Sequence, residues 1–520
     1  MKTKQSIIAP VIKSYSLPAF AGIMLALSFP THNFYIFAWI GLIPLLVNTY
    51  NTSSKQAFLK GFVSGLIFFI LTIYWIYHSI YHYGHLNLFV SIILVLLLCS
   101  YLALFFGAFA AAYSYCMKRT DLPALFVAPV FWTTLEFLRS YAMTGFPWAS
   151  LGYSQYSFLH FIQIADITGI YGVSFLIVAI NGAITDLVIM EKRKIEKPLY
   201  SLIPTFTGFG LFFIALVVVF SYGYFRLNQD RPVNEITAAV VQGNIEQDAK
   251  WVPEYQKDVL TVYQGLTRQA AAYNPNIIIW PETALPFSFG YHKQLTDELV
   301  SFQKETGAYL LTGSIMVKQP DPDKNISVQS SSNSAVLLDK NSKLSYVYDK
   351  IHLVPFGEYV PLRSMLFFVD KLAYSIGEYV PGDTYLKANT PFGTFSTLIC
   401  YEIAFPGLVR KFFTKGGDFI VTITNDAWFG RTKGPYQHFS MAVFRAIENR
   451  KPVIRAANTG ISGLIDSNGK IVKESSLFER TYQILNVKTD STMTFYTKCG
   501  DIFTYLSIIS ALFIIMKTRN

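Results

Sequence analysis

Long apolar stretches without charged residues fill the first part of the chain. The windows 14–54 and 61–117 contain no Asp, Glu, Lys or Arg. A membrane-spanning helix needs about 20 predominantly apolar residues, so each window is long enough for a helical hairpin. The full pattern predicts about eight transmembrane helices, at 15–31, 34–50, 61–82, 87–115, 122–141, 159–190, 199–224 and 500–516.

The pattern changes after residue 224 to short runs rich in β-branched residues. Examples are "EITAAVVQGNI", "NIIIWPETALP", "TFSTLICYEIAFP" and "DFIVTITNDAWFG", with helix-like segments between them. Continuous apolar strands that alternate with helices predict an α/β domain whose sheet is covered on both faces. We therefore expect a transmembrane bundle over 1–224, an extramembrane α/β domain over 225–498 and a C-terminal span over 499–520.

Composition and charge agree with a membrane protein. The chain is 52% hydrophobic and 15% charged, with a net charge of +10. A basic chain could bind nucleic acid, but short basic loops also mark the cytoplasmic side of a membrane. The cations cluster in alternate loops and at the termini: Lys2, Lys4, Lys13, Lys55, Lys60, Lys118, Arg119, Lys192, Arg193, Lys194, Lys197, Lys517 and Arg519.

This charge pattern predicts the topology. The loops "THN" and "YGHL" on the opposite side carry no Lys or Arg. Both termini are therefore expected in the cytoplasm and the α/β domain on the far face of the membrane. The pattern does not require a nucleic-acid partner, and nothing in the sequence requires more than a monomer.

The four cysteines, Cys99, Cys116, Cys400 and Cys499, are scattered along the chain. Their spacing indicates neither a disulfide framework nor a zinc site, so we expect no metal and no cofactor. Cys400 differs from the others because it ends an apolar strand in the polar block. Taken alone, such a cysteine is usually a small packing residue.

Two further strand ends in the same domain carry reactive side chains. Glu282 lies in "WPETALP" and Lys350 in "DKIHLVPFGEYVP". Each alone could be a surface charge. Together with Cys400 they provide a base, a cation and a thiol, which is what a cysteine nucleophile needs for acyl transfer. The residues thus predict thiol-dependent acyl transfer or amide hydrolysis beside a membrane.

Four segments, "WPETALP", "DKIHLVPFGEYVP", "LICYEIAFP" and "TNDAWFG", resemble the carbon-nitrogen hydrolase (nitrilase) superfamily. That resemblance implies a four-layer αββα sandwich with a Glu-Lys-Cys triad. With about eight spans around the domain, the whole chain resembles the apolipoprotein N-acyltransferase family of the bacterial inner membrane. The implied acyl donor is a phospholipid, and the implied acceptor is the α-amino group of a diacylglyceryl-cysteine apolipoprotein.

The resemblance also implies roles for single residues. Glu282 would be the general base, Cys400 the nucleophile and Lys350 the cation that stabilises the oxyanion. The other matching positions are Glu358, which would help to hold the triad, Tyr401 and Glu402 beside the nucleophile, and Trp251 near the substrate entrance. From residue type alone, Trp251 is equally a half-buried aromatic, and Tyr401 and Glu402 are equally residues that only hold the strand. "TNDAWFG" is expected to have a supporting role, and "RAANTGISG", which also resembles the superfamily, is expected near the pocket.

Two other functions remain open from the sequence. A membrane-anchored amidase would use the same residues and let water attack. A transporter with a binding domain would use charges within the bundle, and Glu136, Arg139, Asp166 and Asp186 keep that interpretation open. Glu136 and Arg139 could instead be a satisfied pair on one helix face. The segment 362–374 could dip into the bilayer surface or form a core helix.

Overall fold

The computed structural model describes residues 5–196, 203–229, 234–319, 330–360 and 379–518. Segment 362–374 lies outside these residues. The chain divides into two compact units. The first contains Met1–Tyr77, Asn87–Gln229 and Cys499–Asn520, and the second contains His78–Leu86 and Asp230–Lys498.

The first unit is helical, as predicted. Its helices are α1 (Gln5–Leu27), α2 (Ile36–Ile40), α3 (Ile43–Thr49), α4 (Ser54–Ile73), α5 (Ile76–His78, which ends in the second unit), α6 (Leu88–Arg119), α7 (Ala124–Arg139), α8 (Leu159–Ile162), α9 (Ala165–Glu196), α10 (Ile203–Leu227) and, at its C-terminal end, α17 (Ile502–Lys517). Within the described ranges, four helices are long and apolar enough to cross a membrane: Ser54–Ile73, Leu88–Arg119, Ala165–Glu191 and Thr205–Leu227. Shorter apolar helices cover Ser14–Leu27, Ile36–Thr49 and Ile502–Lys517.

Small residues set the contact between α4 and α6. A Cβ atom on Gly61 would lie 2.4 Å from the carbonyl oxygen of Phe106, and one on Gly65 would lie 2.6 Å from the Phe106 Cβ. Glycines four residues apart occupy one helix face and allow close backbone approach, which is how helices associate where no water is displaced. The pair therefore fixes the packing of this hairpin.

Glu136 and Arg139, two charged residues inside the bundle, form hydrogen bonds with backbone groups of the loop that follows α7. Glu136 Oε1 accepts a hydrogen bond from the backbone N–H of Leu151 at 2.7 Å. Arg139 Nη1 donates to the carbonyl of Trp148 at 2.9 Å. Both side chains are nearly fully buried, so they hold the loop that follows α7.

Two aspartates play similar structural roles. Asp186 accepts hydrogen bonds from the backbone N–H groups of Ala124 and Leu125, both at 2.9 Å. It therefore caps the N-terminus of α7, where free N–H groups and the helix dipole favour an anion. Asp166 on α9 forms a 2.7 Å ion pair with Arg226 on α10. Each aspartate therefore stabilises a contact between two helices of the bundle.

The second unit is the predicted α/β domain. Its strands are β1 (Asn234–Gln242), β2 (Ile277–Ile279), β3 (Tyr309–Lys318), β4 (Ser330–Leu338), β5 (Leu344–Asp349), β6 (Ala388–Thr390), β7 (Gly393–Ile399), β8 (Phe419–Thr424), β9 (Val453–Ala457), β10 (Gly463–Ile465), β11 (Ile471–Glu474) and β12 (Thr481–Thr489). Its helices are α11 (Gln247–Lys250), α12 (Gln256–Ala271), α13 (Lys293–Thr306), α14 (Pro406–Phe413), α15 (Gly434–Asn449) and α16 (Phe495–Cys499).

The described strands form two sheets, in the orders β12-β1-β2-β3-β4-β5 and β11-β10-β9-β8-β7-β6. In each sheet three neighbouring strands are parallel: β1, β2 and β3 in the first, and β7, β8 and β9 in the second. Parallel neighbours need crossover connections, and α12 to α15 supply them. The sheets contact each other through β1 and β9 and through β4 and β7, so the helices lie outside them in an αββα sandwich.

The segment between α4 and α6 differs from its prediction. Span 61–82 was expected to be continuous, but α4 ends at Ile73, and Ser79–Tyr83 forms a π-helical turn that belongs to the second unit. Aromatic residues give this stretch an apolar pattern. Its hydroxyl groups nevertheless bind polar partners, because Ser79 Oγ donates to the carbonyl of Trp428 at 2.6 Å and Tyr83 donates to that of Ala427 at 3.2 Å.

Candidate active site

Glu282 lies in the loop directly after β2. The loop crosses β3 at Gly313, where a Cβ atom would lie only 2.3 Å from the backbone nitrogen of Thr283. Only glycine permits so close an approach. Both carboxylate oxygens of Glu282 are then held, Oε1 by the side-chain amide of Asn333 at 2.7 Å and Oε2 by the backbone N–H of Asn425 at 2.9 Å.

Lys350 is the first residue after β5, and it is 1% exposed. Its Nζ atom lies 3.0 Å from Glu358 Oε1 and 3.6 Å from Glu282 Oε1. Burial alone lowers the pKa of Lys350, but the carboxylates of Glu358 and Glu282 outweigh burial and raise it above its ordinary value. The lysine therefore remains an ammonium ion at the centre of the site.

Glu358 completes this arrangement from the turn after β5. Its Oε1 atom accepts hydrogen bonds from Lys350 and from the amide of Asn333, which also binds Glu282. Its Oε2 atom accepts from the backbone N–H of Val354 at 2.8 Å. Asn333 thus holds both carboxylates at fixed positions on either side of the lysine.

Cys400 directly follows β7 and begins a short 3-10 turn. Its φ angle is +53°, in the left-handed region. That conformation costs a residue with a side chain roughly 1–2 kcal/mol, and such strain clusters at functional sites. Burial raises the pKa of the Cys400 thiol well above its ordinary value, Glu282 adds to the rise, and Lys350 opposes it.

These charges determine what the site can do. The thiol influences the pKa of Lys350, and both Lys350 and Glu282 influence that of the thiol, so the three groups lie within electrostatic range. The resting thiol is protonated, which means that a base must remove its proton as it attacks. The structure brings together the three side chains that the sequence predicted as a triad.

Glu402 holds the strand ends beside Cys400. It is fully buried. Its Oε2 atom accepts from the backbone N–H of Ile399 at 2.7 Å, and its Oε1 atom accepts from Tyr348, Ile351 and His352 at 2.7, 2.8 and 3.2 Å. One carboxylate therefore ties the end of β7 to the end of β5. The contacts favour the strand-holding alternative for Glu402.

The aromatic candidates lie in two different environments. The Tyr401 ring packs edge to face against Phe405, with centroids 4.9 Å apart, and lies 5.8 Å from the His352 ring. Trp251 follows α11 and is 41% exposed, so it is available to contact a substrate. In "TNDAWFG" the backbone N–H of Asn425 binds Glu282, and in "RAANTGISG" the side-chain amide of Asn458 donates to Asn425 Oδ1 at 3.1 Å.

The sequence did not identify Lys250, which is fully buried beside Glu282. Its Nζ atom donates to the backbone carbonyl of Glu282 at 3.2 Å and to the Thr283 hydroxyl at 2.6 Å. Burial lowers the pKa of Lys250 to about 7, and Glu282 partly opposes the shift. A single lysine in a polar loop carries no sequence signal for such a role. No group of three His, Cys, Asp or Glu residues among those described is arranged to hold a metal ion.

Comparison with known proteins covers both units. Residues 21–183 match the apolipoprotein N-acyltransferase N-terminal domain, and residues 237–495 match the carbon-nitrogen hydrolase family. The chain is 38% identical over 505 residues to the apolipoprotein N-acyltransferase of Geobacter metallireducens, covering 96% of this chain and 94% of the relative. It is 34% identical over 521 residues to that of Pasteurella multocida, covering 97% and 95%.

Among solved structures, an amidase from Nesterenkonia sp. aligns with a TM-score of 0.38 and 16% sequence identity. The alignment covers 52% of this chain and 96% of the amidase.

Proposed function

Because the chain belongs to the apolipoprotein N-acyltransferase family, we propose that it transfers an acyl chain from a phospholipid to an apolipoprotein through a thioester on Cys400. The acceptor is the α-amino group of the N-terminal diacylglyceryl-cysteine. The observation that carries the proposal is the buried ammonium of Lys350, held 3.0 and 3.6 Å from two carboxylates and within electrostatic range of the thiol.

In the first half-reaction Glu282 removes the proton from Cys400 Sγ as the sulfur attacks the ester carbonyl carbon of the phospholipid. The carbonyl oxygen becomes an oxyanion, and the ammonium of Lys350 stabilises it. When the intermediate collapses, the ester C–O bond breaks, and Glu282 returns its proton to the departing alkoxide. Lysophospholipid leaves, and the acyl chain remains on Cys400 as a thioester.

In the second half-reaction the apolipoprotein amine attacks the thioester carbonyl carbon. Glu282 accepts a proton from the amine, and Lys350 again stabilises the oxyanion. The C–S bond breaks, the amide forms, and the thiolate recovers its proton from Glu282. The enzyme returns to its starting state with no net consumption of protons.

The placement in the cell belongs to the same proposal. The chain is a membrane protein with apolar helices before the catalytic domain. We place it in the bacterial inner membrane as a monomer, with both termini in the cytoplasm and the catalytic domain, residues 225–498, on the periplasmic side. The alternating basic loops support this orientation.

The proposal is tested by incubating purified protein with phospholipid and no acceptor, followed by mass measurement of the Cys400 peptide. We expect one acyl adduct on Cys400, and transfer of that acyl chain to a peptide with an N-terminal diacylglyceryl-cysteine when the peptide is added. Acyl transfer by Cys400→Ala would refute the thioester. Hydrolysis of the adduct to free fatty acid, with no N-acylated peptide, would instead favour the amidase-like alternative.

A further inference from the structure

A second group of buried polar side chains lies next to the backbone of Cys400. Asp426, His438 and Arg455 come from the turn after β8, from α15 and from β9, and their side chains are 0% exposed. None of the three belongs to the triad of Glu282, Lys350 and Cys400. His438 reaches the nucleophile directly, because its Nε2 atom lies 3.1 Å from the backbone carbonyl oxygen of Cys400.

The three side chains form one connected network. Asp426 Oδ1 lies 3.0 Å from His438 Nδ1, and Arg455 Nη2 donates to Asp426 Oδ2 at 2.9 Å. The same Arg455 nitrogen lies 3.0 Å from His438 Nδ1. Arg455 is anchored in turn by a hydrogen bond from its Nε to the carbonyl of Ile461 at 3.1 Å. The buried ion pair of Asp426 and Arg455 therefore holds the imidazole ring on its Nδ1 side.

The contacts also determine where the histidine carries its proton. The carbonyl oxygen of Cys400 only accepts hydrogen bonds, so Nε2 must be protonated. Burial lowers the pKa of His438 and the Arg455 charge adds to this, while Asp426 opposes it. At the other ring nitrogen, Asp426 Oδ1 and Arg455 Nη2 both lie 3.0 Å from Nδ1. The Nε2–H group donates to the Cys400 carbonyl in both the neutral Nε2–H tautomer and the imidazolium.

The carbonyl that His438 binds belongs to the residue with the left-handed backbone. The φ angle of +53° at Cys400 directs the chain away from the line of β7, and it decides where the side chain points. The groups around that thiol are Glu282, Lys350, Asp426 and the hydroxyl of Thr424. A small rotation of the Cys400 peptide would change the distance from the sulfur to each of them.

We propose that His438, oriented by Asp426 and Arg455, is a positioning residue for the nucleophile. Its Nε2–H group fixes the carbonyl of Cys400 and so maintains the backbone conformation that aims the thiol at Glu282 and Lys350. This inference rests on the proposed function in one respect, namely that Cys400 is the nucleophile. It assigns His438 no contact with the substrate and no proton transfer in the reaction.

The test compares His438→Leu, which removes the donor, with His438→Gln, whose side-chain amide can donate a similar bond. The full-length protein is assayed for the rate of Cys400 acylation by phospholipid, for the KM of the phospholipid, and for the pH midpoint of Cys400 alkylation by iodoacetamide. His292→Leu is the matched control, because His292 is an exposed histidine of the same domain that bonds locally to Ser288.

We expect His438→Leu to lower the acylation rate by about 10- to 100-fold, the loss typical of a misplaced reacting group, with little change in KM. The alkylation midpoint should move, because the sulfur leaves the combined field of Glu282 and Lys350. His438→Gln should recover most of the rate. A purely structural histidine would lower stability in both variants and leave the rate and midpoint of the folded protein unchanged.

A folded His438→Leu protein with wild-type rate and midpoint would overturn the inference. If that variant does not fold, Arg455→Lys decides, because lysine keeps the charge beside Asp426 and loses the planar N–H that reaches His438. Wild-type values for Arg455→Lys would then refute the proposal. Alkylation needs no phospholipid, so a shifted midpoint without any acylation by the wild type would count against the acyltransferase and leave the positioning role intact.

Discussion

Lys350 is the residue on which the electrostatics of the site depend. Its ammonium opposes burial and Glu282, both of which raise the pKa of the Cys400 thiol. Lys350→Met keeps much of the side-chain length and removes the charge, so the thiol pKa should rise further. We expect the pH midpoint of Cys400 alkylation to move upward and acylation by phospholipid to fall by at least about 100-fold, since the proposed oxyanion donor is lost as well.

The control for this change is Lys488→Met, which removes a lysine whose side chain is 68% exposed on β12. It should leave both the midpoint and the acylation rate unchanged. An unchanged midpoint in Lys350→Met would show that the ammonium does not act on the thiol.

Glu402 makes a different prediction, because all its partners are donors. Glu402→Gln replaces one of the two accepting carboxylate oxygens with an NH₂ group. That NH₂ group then faces an N–H or O–H donor and cannot accept its hydrogen bond. Leaving such buried groups unsatisfied costs about 1–3 kcal/mol. We expect a lower free energy of unfolding and a lower acylation rate, measured by denaturant titration and by the adduct assay.

Glu474→Gln, an exposed glutamate on β11, serves as the comparison and should match the wild type. Wild-type stability of Glu402→Gln would mean that the carboxylate does not hold the two strand ends together.

The sequence located some of these residues and not others for a physical reason. Glu282, Lys350, Glu358 and Cys400 follow strands in local motifs, and a strand end directs a side chain towards the edge of its sheet. His438 and Lys250 act through contacts made across the fold, 38 residues from Cys400 and 32 residues from Glu282. Such pairings depend on tertiary packing, which no local pattern encodes.

At the level of elements, the short helix α11 ends in Lys250, a titratable residue that binds the loop carrying Glu282. Neutral Lys250 has two N–H donors, which match its two acceptors, Glu282 O and Thr283 Oγ1. Its pKa of about 7 lies below the ordinary value of 10.5. A base with a lowered pKa in the folded state stabilises the fold most at high pH. Its contribution decreases as the pH falls from 10.5 towards 7.

We therefore expect amide hydrogen exchange in residues 247–251 to become faster as the pH is lowered towards 7, after correction for the intrinsic exchange rate. Lys250→Met does not titrate and should lose this dependence. Exchange protection that is independent of pH in the wild type would contradict the role of Lys250 in holding the loop that carries Trp251.

The π-helical turn Ser79–Tyr83 makes a second prediction at this scale. It packs on the turn Asp426–Phe429, and the Tyr83 and Trp428 rings meet edge to face with centroids 4.9 Å apart. Gly430, at φ +60°, ends that turn, and a Cβ atom there would lie 2.5 Å from Nε2 of His78. Gly430→Ala should displace His78 and lower the thermal stability of the second unit.

Gly416→Ala is the matched control, because Gly416 also has a positive φ, +80°, and a Cβ atom at that position would have nothing within 4 Å. It should cost only the backbone strain of roughly 1–2 kcal/mol. Gly430→Ala should cost more than this and should also speed hydrogen exchange in residues 78–86. Equal effects of the two substitutions would mean that His78 moves aside freely.

On the scale of the whole chain, hydrophobic pattern predicted the two kinds of architecture well and the helix ends less well. The run 87–115 corresponds to the long helix α6, whereas the run 159–190 contains the short helix α8 and most of α9. The run 34–50 is divided into α2 and α3, and the run 61–82 ends early at Ile73. Hydropathy averages over a window, so it cannot register a break of two residues or a hydroxyl that binds a distant carbonyl.

Only the charges of the loops predict the orientation of the chain in the membrane, and this orientation can be tested by labelling. Asn33→Cys lies in the charge-free loop after the first predicted span, Glu191→Cys near the basic C-terminal end of α9, and Lys488→Cys in the catalytic domain. In a Cys499→Ser background, a membrane-impermeant thiol reagent should label positions 33 and 488 from the periplasmic side. Position 191 should react only in inverted vesicles, because the Lys and Arg residues that follow it are expected in the cytoplasm. Labelling of position 488 only in inverted vesicles, together with position 191, would place the catalytic domain on the cytoplasmic side, away from the acceptor that the proposed reaction requires.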